Sequence, residues 1–305
     1  MTTRHKVKHF TWVDLASPSP QSVVPIAKEF QLDDSVKREL ASPGSQARVD
    51  LFDQYVYLRL CFPIFTSLKD GEEDHSKEIN FVISKDYLIT AHYEQVRPIY
   101  KVGKLFDNKA LAKEKILSKK PIELFFVIME KLYEPLIGEL ESIDAMMQRI
   151  EGNVFKGREK EMVEELSRVN RDLIDFRRDM RTHGAVLSQF RDAFIRRFGY
   201  GYTFDIESLR SKHEQLMNML DGNRELLNDL KSTNDALLAN KTNEVMKVLT
   251  VMGFVMFPLT LIAGIFGMNS TLPFVGGTHD FLRIMGIMAI SFFLTWGYLR
   301  NKGWL

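Results

Sequence analysis

The sequence predicts an α/β cytoplasmic domain followed by a long α-helical stalk and two C-terminal transmembrane helices. Three observations lead there. Short runs rich in β-branched and aromatic residues, bounded by turn formers, fill the first part of the 305-residue chain. From Pro121 onward apolar residues recur instead at steps of three and four. Residues 248–278 then contain no Asp, Glu, Lys or Arg, so about twenty of them can cross a hydrocarbon core of roughly 30 Å as one helix. A second apolar run, 284–299, follows a short polar connection.

Within residues 1–120, strands are expected at 10–15, 54–62, 78–83 and 87–92, with helical pieces near 18–30 and 33–40. Residues 69–75 read as a hairpin connection dense in negative charge. Lysines between 101 and 120 are interleaved with leucines, and aromatics for base stacking are sparse there, so they read as a solvated amphipathic face rather than a phosphate- or headgroup-binding patch. Residues 121–204 read as an antiparallel charged helical hairpin. Met162, Leu166, Val169, Leu173, Phe176 and Met180 form one stripe, while residues 158–181 carry seven acidic and seven basic side chains, a salt-bridged surface. The break is placed at 151–157, after a helix over 122–150.

The stalk is placed at 205–268, continuing into the first span. Leu209, Leu216, Leu230 and Leu237 lie at multiples of seven, Leu220 and Leu227 share a second heptad position, and Asn223 and Asn234 interrupt the seam. No proline precedes Pro258 in this stretch, so one helix of about 95 Å is possible at 1.5 Å per residue. A heptad seam entering a membrane predicts helices bundled about an axis, hence a homo-oligomer. An outer loop at 269–283, a second span at 284–299 and a basic tail at 300–305 complete the chain.

Charge is balanced, with 41 Lys plus Arg against 40 Asp plus Glu, which argues against a nucleic-acid partner. Cys61 is the single cysteine; it reads as a buried strand thiol suited to a reducing compartment. The N-terminus has basic residues but no apolar segment behind them, so no cleaved signal is expected. Lys241 and Lys247 precede the first span and Arg300 and Lys302 follow the second, whereas residues 270–280 have no Lys or Arg. Both termini are therefore expected in the cytoplasm, with Trp296, Tyr298 and Trp304 in the inner aromatic belt.

Nothing in the sequence points to an enzyme. There is no Gly-x-x-x-x-Gly-Lys loop and no His-Glu-x-x-His, one cysteine cannot make a thiolate cluster, and the seven histidines are scattered. His279, beside Asp280, is the one worth watching. The first span is more informative. Asn243, Met246, Leu249, Gly253, Phe257, Thr260, Gly264 and Gly267 follow each other by three or four residues and share a helical face that is polar or small at its ends. Small residues on such a face also serve tight helix packing in membranes. Pro258 leaves the carbonyl of Phe254 without its helical donor. No acid lies on this face. Magnesium dehydrates reluctantly, so amide, hydroxyl and backbone oxygens suit outer-sphere bonding to a hydrated ion rather than a cage for a bare one.

The segment Asn243-Glu244-Val245-Met246-Lys247-Val248-Leu249-Thr250, followed by Phe257-Pro258-Leu259-Thr260 and Phe266-Gly267-Met268-Asn269, closely resembles the CorA family of divalent-cation channels. The N-terminal region resembles it more loosely, through Trp12-Val13-Asp14-Leu15. The resemblance implies a funnel-shaped homopentamer in the lipid bilayer, with Mg2+ as cargo and no organic cofactor. It implies an outer selectivity ring of Gly267, Met268 and Asn269 and a pore lined by Asn243, Met246, Leu249, Gly253, Phe257 and Thr260, with Met246 and Leu249 as a constriction that gates by dewetting. The tail Lys302-Gly303-Trp304-Leu305 resembles the family's basic Lys-Trp-Leu end. Phe266 departs from the more frequent Tyr, and the outer loop lacks Met-Pro-Glu.

In the family, cytoplasmic Mg2+ between one subunit's α/β domain and the next subunit's stalk holds the channel closed. Glu73, Asp74, Asp205 and Glu207 are the carboxylates expected to serve here. Two further readings stay open: a ZntB-like transporter of zinc or of cobalt and nickel, and, in another class, a non-conducting membrane-anchored helical scaffold.

Overall fold

The computed structural model describes residues 2–7, 10–44, 46–63, 76–107, 120–268 and 279–304. The chain divides into two compact units, Met1–Lys231 and Ser232–Leu305.

In the first unit six strands form one sheet: β1 (Thr2–Val7), β2 (Phe10–Ala16), β3 (Arg48–Leu51), β4 (Tyr55–Pro63), β5 (Ser76–Ser84) and β6 (Tyr87–His92), in the order β1-β2-β6-β5-β4-β3. Among the described residues only β2 and β6 pair in parallel. The register sets Val13 opposite Ile89, Ile89 opposite Val82 and Val82 opposite Tyr57. That row lies on one face of the sheet and packs with Val23, Ile26, Val36 and Leu40 of α1 (Pro20–Glu29) and α2 (Asp34–Ala41). Alternate residues point the other way, where Phe81 meets Phe125 edge to face at 5.2 Å. Covering both faces is what makes β6 buried throughout and β4 nearly so.

The two edge strands escaped the sequence reading. β1 alternates charged and polar residues, and Arg4 reaches Glu29 at 2.7 Å; β3 has only four residues, none of them buried. Edge strands with polar residues blunt further pairing and leave little hydrophobic signal. Cys61 is half-buried rather than buried, and burial pushes its thiol up to about 11, so it is an inert strand residue.

Beyond α3 (Arg97–Asp107) three long helices complete the unit. α4 (Pro121–Phe155) and α5 (Glu159–Phe198) form a hairpin. The break falls later than expected: α4 passes through Gly152, and the chain turns at Gly157, whose φ of +87° suits glycine. Arg149 meets Glu165 at 3.6 Å and the Tyr133 hydroxyl meets His183 Nδ1 at 2.9 Å, so the helices run antiparallel. A short 3-10 turn, Tyr200–Tyr202, leads into α6 (Thr203–Phe266).

The heptad seam of α6 corrects an expectation. Ile206, Leu209, His213, Leu216, Leu220, Asn223, Leu227 and Leu230 are all buried within the single chain. His213 Nε2 donates to the Met180 carbonyl at 2.9 Å, and Asn223 Nδ2 to the Leu140 carbonyl at 3.0 Å. The seam thus packs on the chain's own α4–α5 hairpin instead of facing an oligomer axis.

The second unit comprises the rest of α6 and α7 (Asp280–Asn301). Both helices are long and apolar enough to cross a membrane. Their apolar side chains are largely exposed, including Met252, Phe254, Leu261, Ile290 and Leu294. Lipid, or another copy of the chain, is the surrounding that would satisfy such a surface.

Candidate functional site

Because α6 is unbroken, Asn243, Met246, Leu249, Gly253, Phe257, Thr260 and Gly264 keep their three- and four-residue spacing on one face. Met246, Leu249 and Phe257 are each more than half exposed. A Cβ added at Gly253 or at Gly264 would meet nothing within 4 Å. Small residues at these positions are therefore not demanded by packing against α7 or any other part of the same chain. Traced toward the N-terminus in the same steps, the stripe passes through Ala239, Ala236, Ser232, Asp229, Glu225, Gly222, Asn218, Gln215 and Ser211, every one exposed. It continues the open face of α6, not the leucine seam.

The oxygen chemistry on this face is specific. The Thr260 hydroxyl donates to the Met256 carbonyl at 2.9 Å, which leaves its lone pairs free to accept. At the end of the helix the Gly267 N–H donates to the Ala263 carbonyl at 2.9 Å, and the Met268 N–H to the Ile265 carbonyl at 3.4 Å. A Cβ on Gly267 would stand 2.9 Å from that same Ala263 oxygen, so glycine is what allows the tight finish. Asn269 lies outside the described residues.

Of the four carboxylates, Asp205 and Glu207 are described, and they face different surroundings. Glu73 and Asp74 lie outside the described residues. Asp205 lines a cavity of about 250 Å³ together with Glu123, Phe126, Phe204, Ser208 and Lys212. Glu207 turns elsewhere and is held by Arg191 at 3.5 Å and Arg210 at 3.3 Å. Glu123, in the first turn of α4, is the acidic neighbour that sequence reasoning missed, since some eighty residues separate it from Asp205. Lys212 in the same wall is tied to Glu130 at 2.5 Å. Among the described residues no group of three or more His, Cys, Asp or Glu is placed to hold a metal ion. His279 is exposed, whereas His183 and His213 are buried parts of the helical core.

The family described as CorA-like Mg2+ transporter protein matches residues 7–301. The "Cobalt/magnesium transport protein CorA" of Thermotoga maritima is 26% identical over 307 residues, covering 97% of this chain and 83% of that protein. Among solved structures, the CorA magnesium transporter from Methanocaldococcus jannaschii superposes with a TM-score of 0.81 at 20% identity, covering 97% of this chain and 92% of the other. The ZntB cytoplasmic domain from Vibrio parahaemolyticus gives 0.59 at 14% identity over 79% of this chain and 91% of that one. Both structural likenesses concern the fold.

Proposed function

Since the chain belongs to the CorA-like Mg2+ transporter family by a match over residues 7–301, we propose that it forms a homopentameric channel for hydrated divalent cations, Mg2+ first among them, in the cytoplasmic membrane. The observation that carries this reading is the open stripe of α6. Between Asn243 and Gly267 it offers acceptor oxygens and unfilled space at Gly253 and Gly264, without an acidic side chain on that face. Small residues alone would also serve helix packing in a scaffold; the acceptor oxygens on the same face are what favour an ion path. Five such stripes about an axis would line a path for an ion that keeps its water shell, because the wall accepts hydrogen bonds from first-shell water instead of replacing it. Met246 and Leu249 form the apolar constriction on this reading, and Gly267, Met268 and Asn269 the outer ring. An inward-negative potential supplies roughly 4.6 kcal/mol per 100 mV for a divalent charge, enough to drive entry without a fuel molecule.

Both termini lie in the cytoplasm, on the strength of Lys241, Lys247, Arg300 and Lys302. Cytoplasmic Mg2+ closes the channel by neutralising carboxylates between subunits. Asp205, together with Glu73 and Asp74, is the candidate set, and Glu123 joins it as a neighbour of Asp205. Glu207 is the weaker member, being already paired with two guanidinium groups. An outer loop without Met-Pro-Glu favours zinc, cobalt or nickel as a second reading of the cargo.

The test is uptake of Mg2+, Co2+, Ni2+ and Zn2+ into liposomes holding the purified protein, parent against Asn269→Ala. The expected result is uptake that follows the membrane potential, is greatest for Mg2+, and is lost in the variant while its oligomer size and melting temperature stay unchanged. No uptake of any of the four ions by the folded parent would sink the channel; a preference for Zn2+ would replace the cargo.

A further inference from the structure

The end of the second unit carries a feature that conduction as described above does not use. After α7 stops at Asn301, the Gly303 N–H donates to the Arg300 carbonyl and the Trp304 N–H to the Leu299 carbonyl, both at 3.1 Å. These two bonds are the pair that closes a helix through a left-handed residue, and Gly303 has the φ of +70° that such a turn needs. Such a turn customarily pairs the residue after it with an apolar one in the last helical turn, the position that Leu299 occupies. Leu299 is 2% exposed, whereas Leu294 and Tyr298 are 70% and 62% exposed.

The same turn reaches α6 by two separate contacts. The Trp304 ring stands edge to face on Phe254 with centroids 6.5 Å apart. The Lys247 ammonium donates to the Gly303 carbonyl at 3.4 Å. Lys247 and Phe254 are seven residues apart and thus share a face of α6. Both precede Pro258, where the ladder lacks the N–H that would bond the Phe254 carbonyl and where a helix bends most readily.

We infer that residues 302–304 form a clasp binding the cytoplasmic half of the first span to the end of the second, so that the two helices move together about Pro258. A left-handed glycine turn, a cation on its carbonyl and an aromatic contact meet within three residues, which a tail that merely ends a helix does not require. The consequence for gating rests on the channel reading: Met246 and Leu249 belong to the clasped segment, so their constriction widens only when the tail moves with it.

Amide hydrogen exchange on the full-length protein in lipid nanodiscs, with no ion gradient, tests the clasp independently of conduction. Peptides covering residues 247–254 and 299–304 are followed in the parent and in Trp304→Ala, Gly303→Val and Trp304→Phe, with residues 79–91 of the sheet as control. Loss of one aromatic pair corresponds to roughly two- to tenfold faster exchange. That acceleration is expected at both peptides for Trp304→Ala and Gly303→Val, with residues 79–91 unaffected, and Trp304→Phe should stay near the parent. Acceleration confined to residues 299–304, or equal in the sheet, would overturn the clasp.

Discussion

Acidification should destabilise the first unit through one side chain, His183. The ring is fully buried between α4, α5 and β4, with Phe62 edge-on at 5.0 Å and His213 stacked at 6.3 Å. Its Nε2 faces the Cys61 carbonyl at 2.8 Å, and its Nδ1 the Tyr133 hydroxyl at 2.9 Å. A carbonyl only accepts, so Nε2 carries the hydrogen and Nδ1 accepts from Tyr133. The neutral ring is therefore satisfied at both nitrogens, and a second proton would set a charge among apolar groups. Burial is the main cause that holds the pKa down to about 3; the Cys61 carbonyl works the other way and His213 adds a smaller depression. In the unfolded chain the same group titrates near 6.5. Below that pH the unfolded chain binds a proton that the folded one refuses, so stability falls from about pH 6.5 down to about pH 3 and is fully present above 6.5. The slope approaches about 1.4 kcal/mol per pH unit, which makes the loss between pH 7 and pH 5 about 2 kcal/mol. Urea unfolding of the full-length protein in detergent, followed by near-ultraviolet circular dichroism at both pH values, measures it. His183→Gln keeps a donor and an acceptor but does not titrate, while all other groups contribute alike to parent and variant. The parent should lose about 2 kcal/mol more than the variant on acidification; equal losses would refute the argument.

Three further outcomes are expected. Arg59→Met removes the cation that Glu39 and Glu78 share and leaves the Glu78 side chain, 7% exposed, without it; breaking such a buried pair should cost about 3–5 kcal/mol, read as a lower urea midpoint. Gly264→Leu meets open space in the single chain, so circular dichroism should be unchanged while divalent uptake is blocked; normal uptake would take the stripe away from the ion path. Asp205→Asn should weaken inhibition of uptake by internal Mg2+, whereas Glu207→Gln, which loses only exposed ion pairs to Arg191 and Arg210, should alter it little and cost less than about 1 kcal/mol of stability.

The sequence alone determined whatever depends on local pattern. The two spans follow from charge-free apolar runs, the family from the residues leading to Gly267, Met268 and Asn269, and the inner strands β4, β5 and β6 from dense β-branched and aromatic residues. Each is a property of neighbours along the chain, and solvent or lipid enforces it whatever the rest of the fold does. What covers a given face was decided only in three dimensions. The leucine seam of α6 was legible as an apolar stripe, yet periodicity names no partner, and the α4–α5 hairpin took the place expected of other subunits. That left the opposite face, with its small and polar residues, as the open one. Likewise Asp205 and Glu207 lie two apart in sequence, about 200° apart around a helix. One therefore enters a cavity with Glu123 and the other meets Arg191. The polar edge strand β1 carried too little apolar signal to be read at all, and only its pairing with β2 makes it a strand.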